Sequence, residues 1–305
     1  MTTKPLSTQQ REESTYRSCF RDDLLRGQVA LVTGGGSGIG YTIARELASL
    51  GATVVIAGRD ATKCQEAAEA AAAANPGLLD KIIAGPSTNI RDADQVAALV
   101  SFALQQTVDR RLDIVVNCAG GQFISPAEAL SKRGFAAVVE TNLVGTFLVS
   151  REAYAQCMQR HGGSIVNITL VNTNGLPGMS HSAAARAGVE NLTKSLAMEW
   201  MEAGVRVNCV RPGIIWTESG FAAYGEAGEE FLQKLLPAIP AKRLGTPEEV
   251  SSAVVWLLSQ GANYVTGTTV SVDGGAGLTL LPMMDIPDHY HLPVYGGKLP
   301  TKARL

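Results

Sequence analysis

The stretch Val32-Thr33-Gly34-Gly35-Gly36-Ser37-Gly38-Ile39-Gly40 decides the fold of this chain. Residues 28–32, directly before the glycines, form a short apolar run rich in β-branched side chains, which predicts a buried strand. Residues 41–50 carry apolar side chains at helical spacing. The glycines therefore lie at a strand-to-helix turn, where a phosphate can approach the backbone because no Cβ intervenes and the helix start offers unpaired N–H groups. This context predicts a dinucleotide site, since a flexible linker fits poorly between a buried strand and an amphipathic helix.

Composition narrows the classes of protein to which the chain can belong. Its 305 residues are 46% hydrophobic and 18% charged with a net charge of -2, which describes a globular chain and gives no electrostatic reason to expect nucleic acid or an anionic membrane as partner. No apolar run approaches the roughly 20 residues that span a bilayer, and the polar N-terminus is unlike a secretory signal. The five cysteines are odd in number and widely spaced, which favours a reduced compartment over disulfides or structural zinc. We therefore predict no metal site, and we interpret His289 and His291 as surface side chains.

Strand and helix patterns alternate along the chain without a break. The predicted strands are residues 28–32, 52–57, 81–84, 112–116, 164–169, 206–210 and 269–272. The predicted helices are residues 41–50, 60–74, 92–106, 133–160, 182–202 and 247–259. Such alternation predicts an α/β fold: a Rossmann-type doubly wound parallel sheet of about seven strands, with helices on both faces and a ligand site at the carboxyl ends of the strands.

One domain accounts for most of the length. We expect an arm over residues 1–26, a single nucleotide-binding domain over residues 27–276 and a tail over residues 277–305. Within the domain, residues 214–240 combine glycines with acidic side chains, which we interpret as a lid over the substrate.

The end of the second strand indicates which nucleotide binds. The dinucleotide fingerprint places an acidic residue about 20 positions after the glycines, on the ribose 2′-hydroxyl. Arg59 stands there instead, and its guanidinium can clamp a 2′-phosphate, while Asp60 is suited to cap the following helix. The sequence therefore favours NADPH over NADH as the cofactor.

These features together resemble the short-chain dehydrogenase/reductase superfamily across residues 27–275. The resemblance is carried by the glycine turn, Asn117-Cys118-Ala119-Gly120, Asn142 in the long helix, Pro212-Gly213 with Thr217, and Val272-Asp273-Gly274-Gly275. It implies that the asparagine-alanine-glycine element supports the central strand beside the cofactor, that Asn142 holds a catalytic water or carbonyl contact, and that Thr217 meets the nicotinamide carboxamide. The cofactor site that it implies consists of Gly34, Ser37, Gly38, Ile39, Gly40, Arg59, Asn89, Ile90, Asn117, Ala119, Gly120, Arg186, Pro212, Gly213, Ile215 and Thr217.

The catalytic helix departs from the usual pattern of the superfamily. Ketone-reducing members use a Tyr-x-x-x-Lys pair, and the slots of these two residues here hold Ser182 and Arg186, with Thr169 in the place of the usual serine. A serine hydroxyl donates a proton less readily than a phenol, so ketone reduction by the standard triad is not expected. The implied catalytic residues are Asn142, Thr169, Ser182 and Arg186.

The Ser-x-x-x-Arg pattern resembles the branch of the superfamily that reduces carbon-carbon double bonds of acyl-CoA thioesters. Segments 120–128, 161–167, 181–188 and 239–245 are most similar to the peroxisomal trans-2-enoyl-CoA reductases of that branch. The resemblance implies NADPH-dependent reduction of trans-2-enoyl-CoA in fatty-acid metabolism, with hydride to Cβ and a proton to Cα. Three alternatives stay open: a 2,4-dienoyl-CoA reductase, an NAD(P)-dependent alcohol dehydrogenase of unsaturated alcohols, and a nucleotide-binding scaffold without catalysis.

Three details of the site are open in the sequence. The proton could come from His181, from Tyr224 or from bound water. Arg186, Glu190 and Lys194 are each four residues apart on one helix, which predicts a ladder of charge pairs along its surface. Glu190 also stands where the trans-2-enoyl-CoA reductases have a tyrosine.

The resemblance also implies an assembly and a compartment. In the superfamily, the helix predicted over residues 182–202 and the long helix before it commonly pack across a subunit boundary, which implies a homotetramer. Ala303-Arg304-Leu305 at the C-terminus resembles the small-basic-leucine peroxisomal address. The expected partners are therefore an acyl-CoA substrate and further copies of the chain, and the expected compartment is the peroxisome, or otherwise the cytoplasm.

Overall fold

A parallel sheet of seven strands forms the centre of the molecule. The computed structural model describes residues 18–217 and 235–279. The strands are β1 (Val29–Thr33), β2 (Thr53–Ala57), β3 (Ile82–Ala84), β4 (Ile114–Asn117), β5 (Gly163–Ile168), β6 (Val205–Pro212) and β7 (Thr269–Val272). They are ordered β3-β2-β1-β4-β5-β6-β7, and every neighbouring pair is parallel. The predicted doubly wound sheet is therefore confirmed.

Helices cover both faces of this sheet. They are α1 (Gly38–Ser49), α2 (Ala61–Ala74), α3 (Ala93–Leu104), α4 (Lys132–Val139), α5 (Gly145–Ala153), α6 (Ser180–Glu199) and α7 (Pro247–Leu258). Ala30 and Val32 of β1 pack in the core cluster under α1, α2 and α7, whereas Val29 and Leu31 pack in the cluster under α3, α5 and α6. Burial on both faces explains why the strands read as continuous apolar runs. None of the described helices is long and apolar enough to cross a membrane.

The single long helix predicted over residues 133–160 is interrupted twice. π-helical turns at Glu140–Val144 and Tyr154–Met158 separate α4 from α5, and α5 from a last turn at Gln159–His161. Apolar spacing predicts a continuous helix but does not reveal a turn with an extra residue, and such turns are frequent at functional sites. The first of them contains the buried Asn142.

The boundaries expected for the arm and the lid need correction. Leu25 is fully buried in the core, its N–H donates to Leu50 O at 2.9 Å, and Phe20 and Leu24 pack against the same core, so residues 18–26 belong to the domain. A few apolar side chains without a regular spacing were too weak a signal. Leu235 and Ile239, inside the predicted lid, are buried in a small cluster beside the sheet. The rest of the arm, the middle of the lid and most of the tail, residues 1–17, 218–234 and 280–305, lie outside the described residues.

The order of the strands determines where a ligand binds. The chain runs from β1 outward to β3 and then returns to β4 on the other side of β1, so the order reverses between β1 and β4. In such sheets the carboxyl ends of the two strands open into a binding crevice. The glycine turn after β1 and residues 117–120 at the end of β4 flank this crevice.

Candidate active site

The start of α1 is arranged to receive an anion. Ser37, its N-cap, makes no side-chain capping bond, and the first turn contains no acidic residue. Gly38 has a φ of 55°, and Gly34, with a φ of 71°, approaches Ala119 so closely that a Cβ on it would lie 2.9 Å from that backbone. The N–H groups of the first turn are thus left for a ligand, which fits the pyrophosphate of a dinucleotide.

Gly40 and Ile39 complete this turn. A Cβ on Gly40 would lie 2.3 Å from Gly34 O, so only glycine lets α1 pack directly onto the turn. The Ile39 side chain packs against the core cluster under α1. Both residues therefore act through the shape of the turn.

Arg59, Asn89 and Ile90 lie where the adenosine end of a dinucleotide is expected. Arg59 follows β2, is exposed and makes no ion pair with any described residue, while Asp60 caps α2 as predicted. The Asn89 side-chain oxygen accepts hydrogen bonds from N and Nε of Arg91, both at 3.2 Å, so its amide N–H groups remain for a ligand; Ile90 is buried. An unpaired guanidinium at this position suits a 2′-phosphate.

Asn117 supports the crevice from behind. Its side-chain amide is buried and donates to Ser150 Oγ at 2.9 Å and to Asn167 Oδ1 at 2.8 Å. Thr33 Oγ1 accepts hydrogen bonds, both at 3.2 Å, from the two backbone N–H groups that follow Asn117. These bonds hold the ends of β1 and β4 together; that this element lies beside the cofactor stays a prediction.

The segment after β6 closes the same edge of the sheet. Pro212 is buried, and the Gly213 N–H donates to Val272 O at 2.9 Å. Ile215 forms an isolated parallel bridge to the segment that precedes α7. These contacts fix the backbone leading to Thr217, which is expected to meet the nicotinamide.

Arg186 is the most unusual residue of the site, because its guanidinium is buried without a carboxylate partner among the described residues. Its side chain is 8% exposed, Nη1 donates to Ile168 O at 2.5 Å, and Nε has no hydrogen-bond partner there. Burial lowers the pKa of the guanidinium, and the thiols of Cys118 and Cys209 act in the opposite direction. A buried charge is costly unless a partner compensates it. The geometry therefore fits a polar group of a cofactor or substrate beside Arg186.

Gly120 makes room for this guanidinium. A Cβ here would lie 2.1 Å from Arg186 Nη2 and 2.7 Å from Asn142 Oδ1. Asn142 Oδ1 accepts from Gly121 N at 3.0 Å, and its Nδ2 donates to Gly121 O at 2.9 Å. Both ends of the Asn142 side-chain amide bind the loop after β4, so Asn142 positions that loop; its implied contact with a catalytic water or a carbonyl stays a prediction.

Ser182 is covered by Gln122, a residue that the sequence analysis did not identify as part of the site. Its Oγ donates to Gln122 Oε1 at 2.7 Å, and Ser182 is fully buried whereas Gln122 is exposed. A molecule entering the crevice meets the Gln122 amide first, whose N–H groups are its available donors. Gln122 lies two residues after Gly120, within a segment that carried the resemblance, so its place in the loop was the signal that could have found it.

Thr169 belongs to a buried network with Glu190. Thr169 Oγ1 lies 3.4 Å from both Glu190 Oε1 and Cys209 Sγ, and Arg211 Nη1 pairs with Glu190 Oε2 at 3.3 Å. The predicted charge ladder is therefore wrong for Glu190, because its carboxylate binds a cation on β6 that helical spacing cannot reveal. Burial raises the pKa of Cys209 to about 11, so this thiol is neutral. The Thr169 hydroxyl is engaged by protein groups.

Of the two side chains considered as proton donors, the structure describes only His181. His181 is fully buried, neither ring nitrogen has a hydrogen-bond partner within the described ranges, and the ring meets Phe123 edge-on with 4.5 Å between centroids. Tyr224 lies outside the described residues. In residues 18–217 and 235–279, no three His, Cys, Asp or Glu side chains are grouped so that they could hold a metal ion.

The crevice combines a helix start whose N-cap makes no side-chain capping bond with a buried guanidinium whose Nε has no partner among the described residues, an arrangement that suits a nucleotide-dependent oxidoreductase. Residues 34–277 match the family model described as enoyl-(acyl carrier protein) reductase. The chain belongs to the short-chain dehydrogenase/reductase family, as its motifs indicated.

The chain is similar to named reductases and dehydrogenases. The chain is 39% identical over 268 residues to the peroxisomal 2,4-dienoyl-CoA reductase, (3E)-enoyl-CoA-producing, of Rattus norvegicus, covering 88% of this chain and 89% of that protein. The corresponding protein of Saccharomyces cerevisiae is 32% identical over 258 residues, covering 84% and 86%. Among solved structures, the citronellol catabolism dehydrogenase of Pseudomonas aeruginosa has a TM-score of 0.74 and 43% identity, covering 86% of this chain and all, 100%, of that one.

Proposed function

We propose that this protein is an NADPH-dependent reductase of α,β-unsaturated acyl-CoA thioesters. The observation that carries the proposal is the pair Ser182 and Arg186, which places a buried guanidinium at the site and no phenol in the tyrosine slot. Reduction of a double bond conjugated to a thioester develops negative charge on the thioester oxygen, so donors and positive charge accelerate it. It needs a proton only at Cα, and no strong acid at the carbonyl.

The donors of the chain suit an enolate oxygen. Because Gln122 Oε1 accepts from Ser182 Oγ, the exposed amide N–H groups of Gln122 are left to donate to that oxygen. The buried Arg186 adds positive potential in surroundings of low dielectric constant. Asn142 holds the loop through Gly121, which keeps Gln122 in place.

We propose NADPH as the cofactor that this crevice binds. Arg59 would bind the 2′-phosphate, the start of α1 the pyrophosphate and Arg186 a ribose hydroxyl. When bound, NADPH supplies the hydride. The other cofactor contacts that the resemblance implies, from Asn89 to Thr217, stay predictions.

Two acyl-CoA substrates fit the same chemistry. The motifs favour trans-2-enoyl-CoA, which takes the hydride at Cβ, whereas the curated relatives are named for 2,4-dienoyl-CoA, which takes it at Cδ. In both reactions the charge reaches the thioester oxygen and the proton goes to Cα, so one set of donors serves both. We place 2,4-dienoyl-CoA first, because the rat and yeast relatives named for it match 88% and 84% of the chain.

Oxidation of an unsaturated alcohol is the second candidate function. It is supported by the 43% identity to the citronellol catabolism dehydrogenase. That reaction requires a base for the hydroxyl proton, and Ser182, whose O–H donates a hydrogen bond to Gln122 Oε1, is a poor base.

Cofactor consumption, followed by absorbance, separates these candidates. The purified protein is offered NADPH with trans-2-decenoyl-CoA, 2,4-decadienoyl-CoA or a saturated 3-ketoacyl-CoA, and NADP⁺ with citronellol. We expect turnover of an unsaturated thioester and none of the ketone. Turnover of the ketone would contradict the proposal, turnover of citronellol alone would establish the second candidate, and NADPH binding without any turnover would identify a scaffold.

We also infer a peroxisomal address. It is supported by Ala303-Arg304-Leu305, which lies outside the described residues, and by the peroxisomal names of the rat and yeast relatives. A fluorescent protein fused to the N-terminus and expressed in yeast should co-localise with peroxisomes, and removal of the last three residues should release it into the cytoplasm. Diffuse fluorescence of the full-length fusion would contradict this inference.

A further inference from the structure

The loop after β4 exposes two large apolar side chains next to the proposed substrate donor. Phe123 is 45% exposed and Ile124 is 43% exposed, and both directly follow Gln122. Adjacent exposed apolar side chains at the edge of a polar site are typical of ligand-binding surfaces. Their position beside Gln122 indicates a ligand whose polar group and apolar part are close together.

The Phe123 ring is held in place on its protein side. It meets the buried ring of His181 edge-on, with 4.5 Å between centroids and 70° between the ring planes. The loop is also tied to the turn before α6, because Ser125 N donates to Gly178 O at 2.8 Å. A Cβ on Gly134 of α4 would lie 3.2 Å from Phe123 Cζ, so the backbone of α4 approaches the Phe123 ring closely at this glycine. The ring is therefore supported from behind while nearly half of its surface stays open.

We propose that Phe123 and Ile124 form an acyl wall, a surface that binds the acyl chain of the substrate and makes the enzyme select longer chains. The proposal rests on the proposed function, in which Gln122 binds the thioester oxygen. Neighbouring Cα atoms are about 3.8 Å apart and the Phe123 side chain extends further from the backbone, so a chain held at Gln122 by its thioester meets the ring only beyond its first few carbons. Each methylene group removed from water tightens binding by about fourfold, and two covered methylenes therefore by more than about tenfold.

Binding of saturated acyl-CoA molecules tests the acyl wall independently of turnover. Dissociation constants of butyryl-CoA and decanoyl-CoA are measured by calorimetry with the natural chain, with Phe123→Ala and with Trp256→Ala. Trp256 is a matched control, because it is an aromatic residue with 39% exposure on α7, on the opposite face of the sheet. We expect decanoyl-CoA to bind the natural chain at least about tenfold more tightly than butyryl-CoA. Phe123→Ala should reduce this ratio severalfold with little change for butyryl-CoA, and Trp256→Ala should preserve it.

Each outcome decides the proposal. If the natural chain binds both molecules equally, or if Phe123→Ala keeps the full advantage of decanoyl-CoA, the acyl wall is wrong. Turnover of trans-2-decenoyl-CoA and 2,4-decadienoyl-CoA is measured on the same preparations. Loss of the chain-length ratio in Phe123→Ala together with no turnover by the natural chain would support the acyl wall and reject the proposed reaction.

Discussion

Substitution of Arg186 should lower activity without lowering stability. Its buried guanidinium has no carboxylate partner among the described residues, so Arg186→Met removes an uncompensated charge and should leave the free energy of unfolding unchanged or raise it. The same change removes positive charge from the reacting centre and should lower kcat by about 10²- to 10³-fold. Thermal unfolding and kcat with an unsaturated acyl-CoA are measured together. A variant that loses stability and activity in parallel would show that Arg186 is structural.

Arg59 should decide between the two forms of the cofactor. If its guanidinium binds the 2′-phosphate, Arg59→Ala should weaken NADPH binding by about 10- to 100-fold, the range for a hydrogen bond to a charged group, and leave NADH binding unchanged. Arg160→Ala is the control, because Arg160 is also exposed but lies in the helical turn before β5, at the amino ends of the strands. Equal weakening of both cofactors by Arg59→Ala would contradict the preference for NADPH. Fluorescence titration with each cofactor measures the effect.

At the scale of elements, two neighbouring glycines in the loop after β4 should behave differently. Gly120→Ala would place a Cβ against Arg186 Nη2 and Asn142 Oδ1, an overpacking that typically costs about 1 to 3 kcal/mol. Gly121→Ala is its control, because a Cβ there has no neighbour within 4 Å. Urea unfolding should therefore show a loss of stability for Gly120→Ala and little change for Gly121→Ala. Equal stability of the two variants would mean that the loop adjusts and that Gly120 does not fix the position of Arg186.

The sequence predicts the strands accurately but not the contacts between side chains in the site. All seven strands were predicted to within two residues at either end, because strands buried on both faces are continuous apolar runs. The π-helical turn around Asn142 was not predicted, since one extra residue in a turn leaves the apolar spacing nearly unchanged. The contacts of Gln122 and Glu190 were not predicted either. Their partners, Ser182 and Arg211, are 60 and 21 residues away in sequence and meet them only through the fold.

At the scale of the whole molecule, large apolar side chains remain exposed on the helical segments that precede and follow β5. They are Phe135, Val144, Phe147, Met198 and Met201, each at least 36% exposed. They lie on α4, the first π-helical turn, α5, the end of α6 and, for Met201, the turn just beyond α6, the segments that the resemblance places at a subunit boundary. Apolar surface of this kind is typical of an interface between subunits.

The homotetramer implied by the resemblance can therefore be tested at this surface. Light scattering after gel filtration should give a mass about four times the 32.0 kDa of one chain. Phe147→Glu places a charge in the proposed interface and should reduce that mass to a dimer or monomer, because an unpaired charge is costly to bury. Leu79→Glu is the control, since Leu79 is 65% exposed but lies beyond α2, away from these helices, and the tetramer should survive it. A natural chain that elutes as a monomer would mean that this apolar surface is covered by another partner or stays in contact with water.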